Sequence, residues 1–398
     1  MTIVSTVLTL TALPVLAAAL YLAALTLLGR RPLRAPTAPE GRPTRFVIVV
    51  PAHNEAAGLS TTLDTLDAIA WPRAARRVLV IADNCTDATA AIARAHGVDV
   101  LERHDLLRRG KGYALAAAFA RLGAEPAGAW DAAVVIDADT DVTPDLLHAA
   151  HARLAGGAEA LQAVYLSRPG TAPLQVVTDV ALYASHVLRG RARERLGLSV
   201  GLRGNGMILT RAVLARVPHV AFSAVEDLEY GIHLARAGVR VGLLPETVVR
   251  GDMPSDAAVA ATQRTRWIGG RGAVVRAELP SLLRDGLRQR SALLMDLAID
   301  LAIPPLSLLV MLAGLGSLLS LVSFWDGDIL PVSLWGSAAL LLAGHIGVAA
   351  RGAGRTADLR RVVRVLPVYV VTKALIALRA LVAPTTTWVR TARPSDAR

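Results

Sequence analysis

Between Phe46 and Ile136 the chain repeats one pattern four times: a short apolar run, a polar cluster close behind it, then a stretch of helical composition. The runs are Phe46–Val50, Val78–Ala82, Val98–Leu101 and Ala132–Ile136. The length and β-branched content of the first, second and fourth predict buried strands, and the third, which includes Asp99, reads as a short strand. Strands alternating with helices at this pitch predict parallel βαβ units, hence an α/β fold with a mostly parallel sheet and flanking helices. Such sheets bind ligands outside the carboxyl ends of their strands. The chain places polar clusters there: Ala52-His53-Asn54-Glu55, Asp83-Asn84-Cys85-Thr86-Asp87, Gly110-Lys111-Gly112 and Asp137-Ala138-Asp139. The recurrence predicts one crevice lined by Ala52, Glu55, Asp83, Lys111, Asp137 and Asp139.

The chemistry of each cluster narrows its use. In an extended chain Asp137 and Asp139, spaced i, i+2, share a face. Two hard oxygen ligands suit Mg²⁺ or Mn²⁺ carrying a diphosphate, because these ions add phosphate oxygens and water to one or two carboxylates. The competing reading is a solvated acidic turn. Asp83 can accept hydrogen bonds from a nucleobase or ribose, or cap a helix. Gly110 and Gly112 admit a close ligand and Lys111 offers a point charge to an anion, or the three form an ordinary turn. The spacing is not that of a P-loop. Gly201-Leu202-Arg203-Gly204-Asn205-Gly206 implies a close backbone approach, to a ligand or within a tight turn. Glu226, Asp227 and Glu229 open a predicted helix, where the macrodipole alone favours acids; Asp227 is also the candidate general base. Gln263, Arg266 and Trp267 share a helix face. They can hold a leaving diphosphate beside an indole wall for a sugar, or anchor a membrane interface.

Taken in order, Asp83, Asp137-Ala138-Asp139, Glu226-Asp227 and Gln263-Arg264-Thr265-Arg266-Trp267 resemble the membrane-bound family 2 glycosyltransferases, over roughly Phe46 to Gly270. That family includes cellulose, chitin, hyaluronan and poly-N-acetylglucosamine synthases and ceramide glucosyltransferases. The resemblance implies a GT-A fold, an inverting mechanism and a nucleotide-sugar donor, expected to be a UDP-sugar. It implies Asp83 on the nucleobase, Asp137 and Asp139 at the ribose, diphosphate and divalent metal, Asp227 as catalytic base, and Gln263, Arg266 and Trp267 at the diphosphate and acceptor sugar. Two positions depart from the family pattern. Asn84-Cys85 follows Asp83 where a second Asp and a small residue are commoner, and Val225 replaces the Thr usual before Glu-Asp.

Hydropathy adds a membrane. The chain has 398 residues, 53% of them hydrophobic, with a mean hydropathy of +0.45. The apolar mass is clustered: Thr2 to Leu28 carries no charge and is long enough to cross a bilayer. Arg30, Arg31, Arg34, Arg42 and Arg45 follow it, so the positive-inside rule predicts a cytoplasmic domain next. A cleaved signal peptide ending near Ala17-Ala18-Ala19 is the competing reading. Two further uncharged segments, Ile303–Ser323 and Pro331–Ala350, predict spans; Ser291–Ala302 reads as an interfacial helix, and Val365–Ala383 as an interfacial or re-entrant helix with a further span as the alternative.

The expected organisation is therefore a transmembrane helix over 1–29, a basic linker over 30–45, a cytoplasmic GT-A domain over 46–290, and a membrane region over 291–398 with two to three transmembrane or interfacial helices. The net charge of +11 flanks apolar segments and comes without a nucleic-acid-binding motif, which favours anionic lipid over nucleic acid as its partner. The single Cys85 excludes an internal disulfide and fits a reducing compartment. The expected protein is a multi-pass cell-membrane enzyme glycosylating a lipid or glycan acceptor. A processive synthase and a catalytically silent nucleotide-sugar binder are the alternatives.

Overall fold

A computed structural model describes residues 3–37, 41–252, 257–362, 367–372 and 375, without the side chains of 257–264, 266, 360 and 361. The chain forms two compact units, one of Met1–Pro32, Pro169–Leu196 and Ala298–Pro384, the other built mainly of Leu33–Arg168 and Gly197–Leu297.

The second unit is organised on an eight-stranded sheet. Its strands are β1 (Phe46–Ala52), β2 (Arg76–Asp83), β3 (Asp99–Arg103), β4 (Ala132–Val135), β5 (Thr140–Val142), β6 (Ala160–Ser167), β7 (Met207–Thr210) and β8 (Val241–Gly251), in the spatial order β3-β2-β1-β4-β7-β6-β8-β5. The pairs β1–β2, β2–β3, β1–β4 and β6–β8 are parallel; β4–β7, β6–β7 and β5–β8 are antiparallel. The sheet grows outward from β1 through β2 to β3, then resumes on the other side of β1 with β4. That reversal makes the β1/β4 boundary the topological switch point, where adjacent crossovers leave a crevice.

The continuous apolar runs follow from burial on both faces. Phe46, Ile48 and Val50 join Leu59, Leu63, Leu66, Leu146 and Leu147 in one core. The helix Lys111–Gly123 packs on β1 and β2 and buries Ala114, Leu115, Ala118 and Leu122. Pro51 does not end β1 as its missing N–H would predict. Its partner in the register is Ile81, and the strand runs on to Ala52. Proline's φ suits an extended chain, so the loss is confined to one donor.

The other unit contains three helices long and apolar enough to cross a membrane: Ile3–Gly29, Leu306–Trp325 and Leu330–Gly352. Ala12, Ala18, Ala19, Ala313 and Ala338 lie in their shared core, small residues that let backbones approach. The Trp335 indole donates to the Leu8 carbonyl at 3.0 Å, and Thr26 Oγ1 meets His345 Nδ1 at 2.6 Å. Asp300 is ion-paired with Arg189 and Arg193, the latter at 3.0 Å. Pro169–Leu196, which the sequence reading places inside the sugar-transfer domain, belongs to this unit. Its Val180, Ala184 and Leu188 are buried with Ala349 and Ala350. The segment Val365–Ala383 lies largely outside the described residues.

Gly112 explains its own position in the second unit. A Cβ there would sit 2.1 Å from the Ala221 carbonyl oxygen, so the start of the Lys111–Gly123 helix can dock only on a bare backbone. Gly112→Ala is expected to destabilise the protein by about 2 kcal/mol or more, because a backbone atom cannot rotate away as a side chain can. Thermal unfolding of the purified full chain followed by tryptophan fluorescence reads this as a lowered midpoint.

Candidate active site

The acidic pair lies at the switch point. Ile136 closes the β1–β4 ladder by donating to the Val49 carbonyl at 3.0 Å, and Asp137 follows. Ala138 and Asp139 then form a turn before β5 begins at Thr140. The two carboxylates are therefore not on an extended strand, and i, i+2 alternation does not set their direction. The turn is set by its partners. The Asp137 N–H donates to Asn205 Oδ1 at 3.2 Å, Asn205 Nδ2 donates to Thr140 Oγ1 at 2.7 Å, and Thr62 Oγ1 donates to the Ala138 carbonyl at 2.8 Å. Asp137 and Asp139 themselves remain partly accessible.

Lys111 reaches the same place from the N-terminus of its helix. Its ammonium pairs with Asp137 Oδ1 and donates to the Gly204 carbonyl at 2.5 Å. A Cβ built on Gly204 would lie 3.4 Å from both Lys111 Nζ and Asp227 Oδ2, which puts the candidate base beside the lysine. Asp227 is in the first turn of the helix Glu226–Arg236, and its Oδ1 accepts from the Leu228 N–H at 2.8 Å. Glu229, by contrast, is structural: its carboxylate accepts from the N–H groups of Phe222 and Ser223 at 3.1 and 2.9 Å.

Crowding shifts these groups. Burial raises the Glu226 carboxyl, and the neighbouring Asp227 charge adds to this, bringing its pKa to about 7. Burial also raises Asp227, although the Leu228 N–H and the Lys111 and Arg203 charges oppose the rise. Burial would lower Lys111, yet Asp137, Glu226 and Asp227 together outweigh it and keep the ammonium charged.

The ends of β1 and β2 form the adjoining wall. Ala52 is buried at the tip of β1, and its carbonyl lies 3.5 Å from Cys85 Sγ. Glu55 is nearly buried, with its N–H donating to Thr89 Oγ1 at 2.8 Å. Asp87 Oδ2 accepts from the Ala56 N–H at 3.0 Å, and Asn54 Oδ1 from the Thr86 N–H at 2.7 Å, so the two loops are laced together. Asn54 and Asn84 take positive φ, 55° and 53°, a conformation asparagine tolerates. This accounts for Asn84 after Asp83. Burial raises the Cys85 thiol, which favours its protonated form.

Asp83 has a partner that the sequence reading missed. Arg103, the last residue of β3, donates to Asp83 Oδ1 at 2.6 Å and reaches Asp105 at 3.1 Å. Its guanidinium lies 5.8 Å from the centroid of the Tyr113 ring, which stacks on Phe222 at 4.3 Å. The strand-end rule applied to β3 would have found Arg103. Trp267 is 40% exposed on the helix Ala257–Gln289. One turn on, Gly270 faces Val225, where a Cβ would lie 3.1 Å from Val225 Cγ1 next to Glu226 and Asp227. The side chains of Gln263 and Arg266 lie outside the described residues.

Asp137 and Asp139 are the carboxylates on this turn that could hold a divalent cation. Among the described residues no group of three or more His, Cys, Asp or Glu is arranged to hold a metal. Asp137 and Asp139 on one fixed turn match Mg²⁺ or Mn²⁺, which take much of their coordination from substrate phosphates and water.

The sheet and its helices form a GT-A fold. Residues 43–270 match the family described as glycosyltransferase like family 2, and the chain belongs to that family, making it a glycosyltransferase. Its structure is similar to that of the mannosyltransferase PcManGT from Pyrobaculum calidifontis in complex with GDP-Man and Mn²⁺, at 19% identity and a TM-score of 0.59, over 94% of this chain and 98% of that one. Mannosyl-3-phosphoglycerate synthase from Rubrobacter xylanophilus matches at 22% identity and a TM-score of 0.41, over 61% and 75% of the two chains. No curated protein matches the chain.

The Glu226 carboxyl has a consequence for stability. Its folded pKa of about 7 exceeds its ordinary 4.5, so the folded protein holds this proton longer than the unfolded chain. The contribution is present below the ordinary value and is lost as pH rises through the folded one. Glu226→Gln removes the dependence. Its denaturation midpoint should therefore gain on wild type as pH rises from about 5 to about 8. A constant difference across that window would mean the carboxyl is not perturbed.

Proposed function

We propose that this glycosyltransferase moves a sugar from a nucleoside-diphosphate sugar to a lipid or glycan acceptor at the cytoplasmic membrane face, with inversion at the sugar carbon. The observation that carries the reading is the convergence of Asp137, Lys111 and Asp227 on Gly204 at the switch point of the sheet. Mn²⁺ and GDP-Man occur together in the mannosyltransferase complex, which supports a metal-dependent nucleotide-sugar donor here.

In this reading Asp137 and Asp139 hold the cation, with Ala52, Glu55 and Asp83 at the nucleoside. Bound Mg²⁺ or Mn²⁺ supplies positive charge to the diphosphate. Lys111 adds a second, fixed cation, and Gln263, Arg266 and Trp267 close the diphosphate and acceptor side. The acceptor oxygen bonds to the sugar carbon as the bond to the diphosphate oxygen breaks, and Asp227 takes the hydroxyl proton. Burial makes Asp227 a better base than a solvated aspartate, since a raised pKa strengthens proton abstraction while the charged form is still present. A single displacement inverts the centre and needs no enzyme nucleophile. Three candidate spans among the described residues give little wall for a polymer channel, which favours a lipid acceptor over a self-contained synthase.

Asp227→Asn should retain donor binding by thermal shift and lose transfer by about 100-fold or more; loss of donor binding would remove Asp227 from the role of base. Asp139→Ala should abolish metal-dependent release of nucleoside diphosphate, and turnover equal to wild type would end the metal assignment. Thermal-shift measurements with UDP- and GDP-sugars, each with Mn²⁺ and Mg²⁺, identify the donor.

A further inference from the structure

Asn205 is only 1% exposed, and both ends of its side-chain amide are used on the acidic turn. Its Oδ1 accepts from the backbone of Asp137 and its Nδ2 donates to Thr140 Oγ1, so one planar group spans the residue at which the turn begins and the one that follows Asp139. The amide orientation is fixed by chemistry, because the Asp137 N–H can only donate. Thr140 is fully buried, so this anchor cannot exchange for water.

Asn205 is itself immobilised. Its carbonyl accepts from Gln162 Nε2 at 2.7 Å, and Gln162 Oε1 accepts from the Arg203 N–H at 2.8 Å. The next residue, Gly206, donates to the Val135 carbonyl and accepts from the Ala163 N–H, both at 2.8 Å. Gly204 and Gly206 on either side take φ of 74° and 75°, and a Cβ on Gly206 would lie 2.9 Å from both Ala163 Cβ and Val249 Cγ2. The preceding carbonyl, that of Gly204, receives Lys111 Nζ. One short segment therefore grips both the turn and the lysine that pairs with it.

We infer that Asn205 is a positioning residue that fixes the separation and direction of the Asp137 and Asp139 carboxylates for a divalent cation and its diphosphate, rather than a turn residue. The inference rests on the metal reading above. Ala138, between the two aspartates, is held independently by Thr62 Oγ1 and by burial of its methyl group. Loss of Asn205 should therefore loosen the carboxylates without unravelling the segment.

The test uses the full chain in detergent and measures Mn²⁺ affinity by electron paramagnetic resonance in the presence of UDP and, separately, GDP. Asn205→Ala removes the Nδ2 donor and the Oδ1 acceptor without adding a charge beside Asp137. Thr140→Val removes only the partner of that donor and guards against misfolding of the first variant. Both should weaken Mn²⁺ by about tenfold and broaden the bound spectrum, as expected when support behind metal ligands is lost. Their thermal midpoints should fall, because each loses a buried hydrogen bond, while a cooperative unfolding transition shows that both remain folded. Folded variants with wild-type Mn²⁺ affinity and spectrum overturn the assignment. Asp139→Ala separates the two readings. If it abolishes Mn²⁺ binding while the Asn205 and Thr140 variants bind normally, the role of Asn205 alone is wrong. If it too binds normally, the metal reading falls and the inference falls with it.

Discussion

One ammonium group holds the centre together. Asp137 and the adjacent pair Glu226-Asp227 come from separate parts of the chain, and gathering them in a partly desolvated place sets like charges against one another. Lys111 offsets that repulsion from a helix start that Gly112 lets lie against the Ala221 backbone. A buried ion pair adds little net stability, while the loss of one partner is costly. The contact between Lys111 and Asp137 is therefore better understood as fixing where charges sit than as a source of folding energy. In the proposed reaction, such a cation is already in place when the anionic diphosphate arrives.

Order in the sheet explains why these groups meet. The chain leaves β1 for β2 and β3 on one side and returns to β4 on the other, and the crevice at that reversal is lined by whatever follows β1 and β4. That half of the architecture was legible in the sequence, because β1, β2 and β4 hold continuous apolar runs that close in polar residues, with the short β3 between β2 and β4 in the chain. The other half was not. β5 has three residues, too few for any periodicity, and it exists because β8 and Asn205 receive it. The antiparallel β4–β7 and β6–β7 pairs depend on contacts distant in sequence that no local pattern encodes.

The site shows the same division. Asp137, Lys111 and Asp227 carry chemistry in their side chains and could be picked out by type and position. Asn205 could be noticed only as one residue between two glycines, and its importance lies in two hydrogen bonds to a turn more than sixty residues earlier. Gly112 read equally well as room for a ligand or as a turn, and the Ala221 carbonyl shows that it is room for the protein's own backbone. Arg103 was overlooked because its strand is short and its neighbours are charged, which hid the strand end that places it on Asp83.

The division of the chain into units bears on how it is made. The helical stretch Pro169–Leu196 lies between β6 and β7 in sequence, yet Val180, Ala184 and Leu188 are covered by Ala349 and Ala350, which follow much later. During synthesis this apolar face leaves the ribosome well before its cover exists. Until then it presents the kind of surface that recruits chaperones or sticks to other chains. A soluble fragment ending before Leu330 would keep that face bare permanently, so the enzyme can be expected to resist separation into a membrane piece and a catalytic piece.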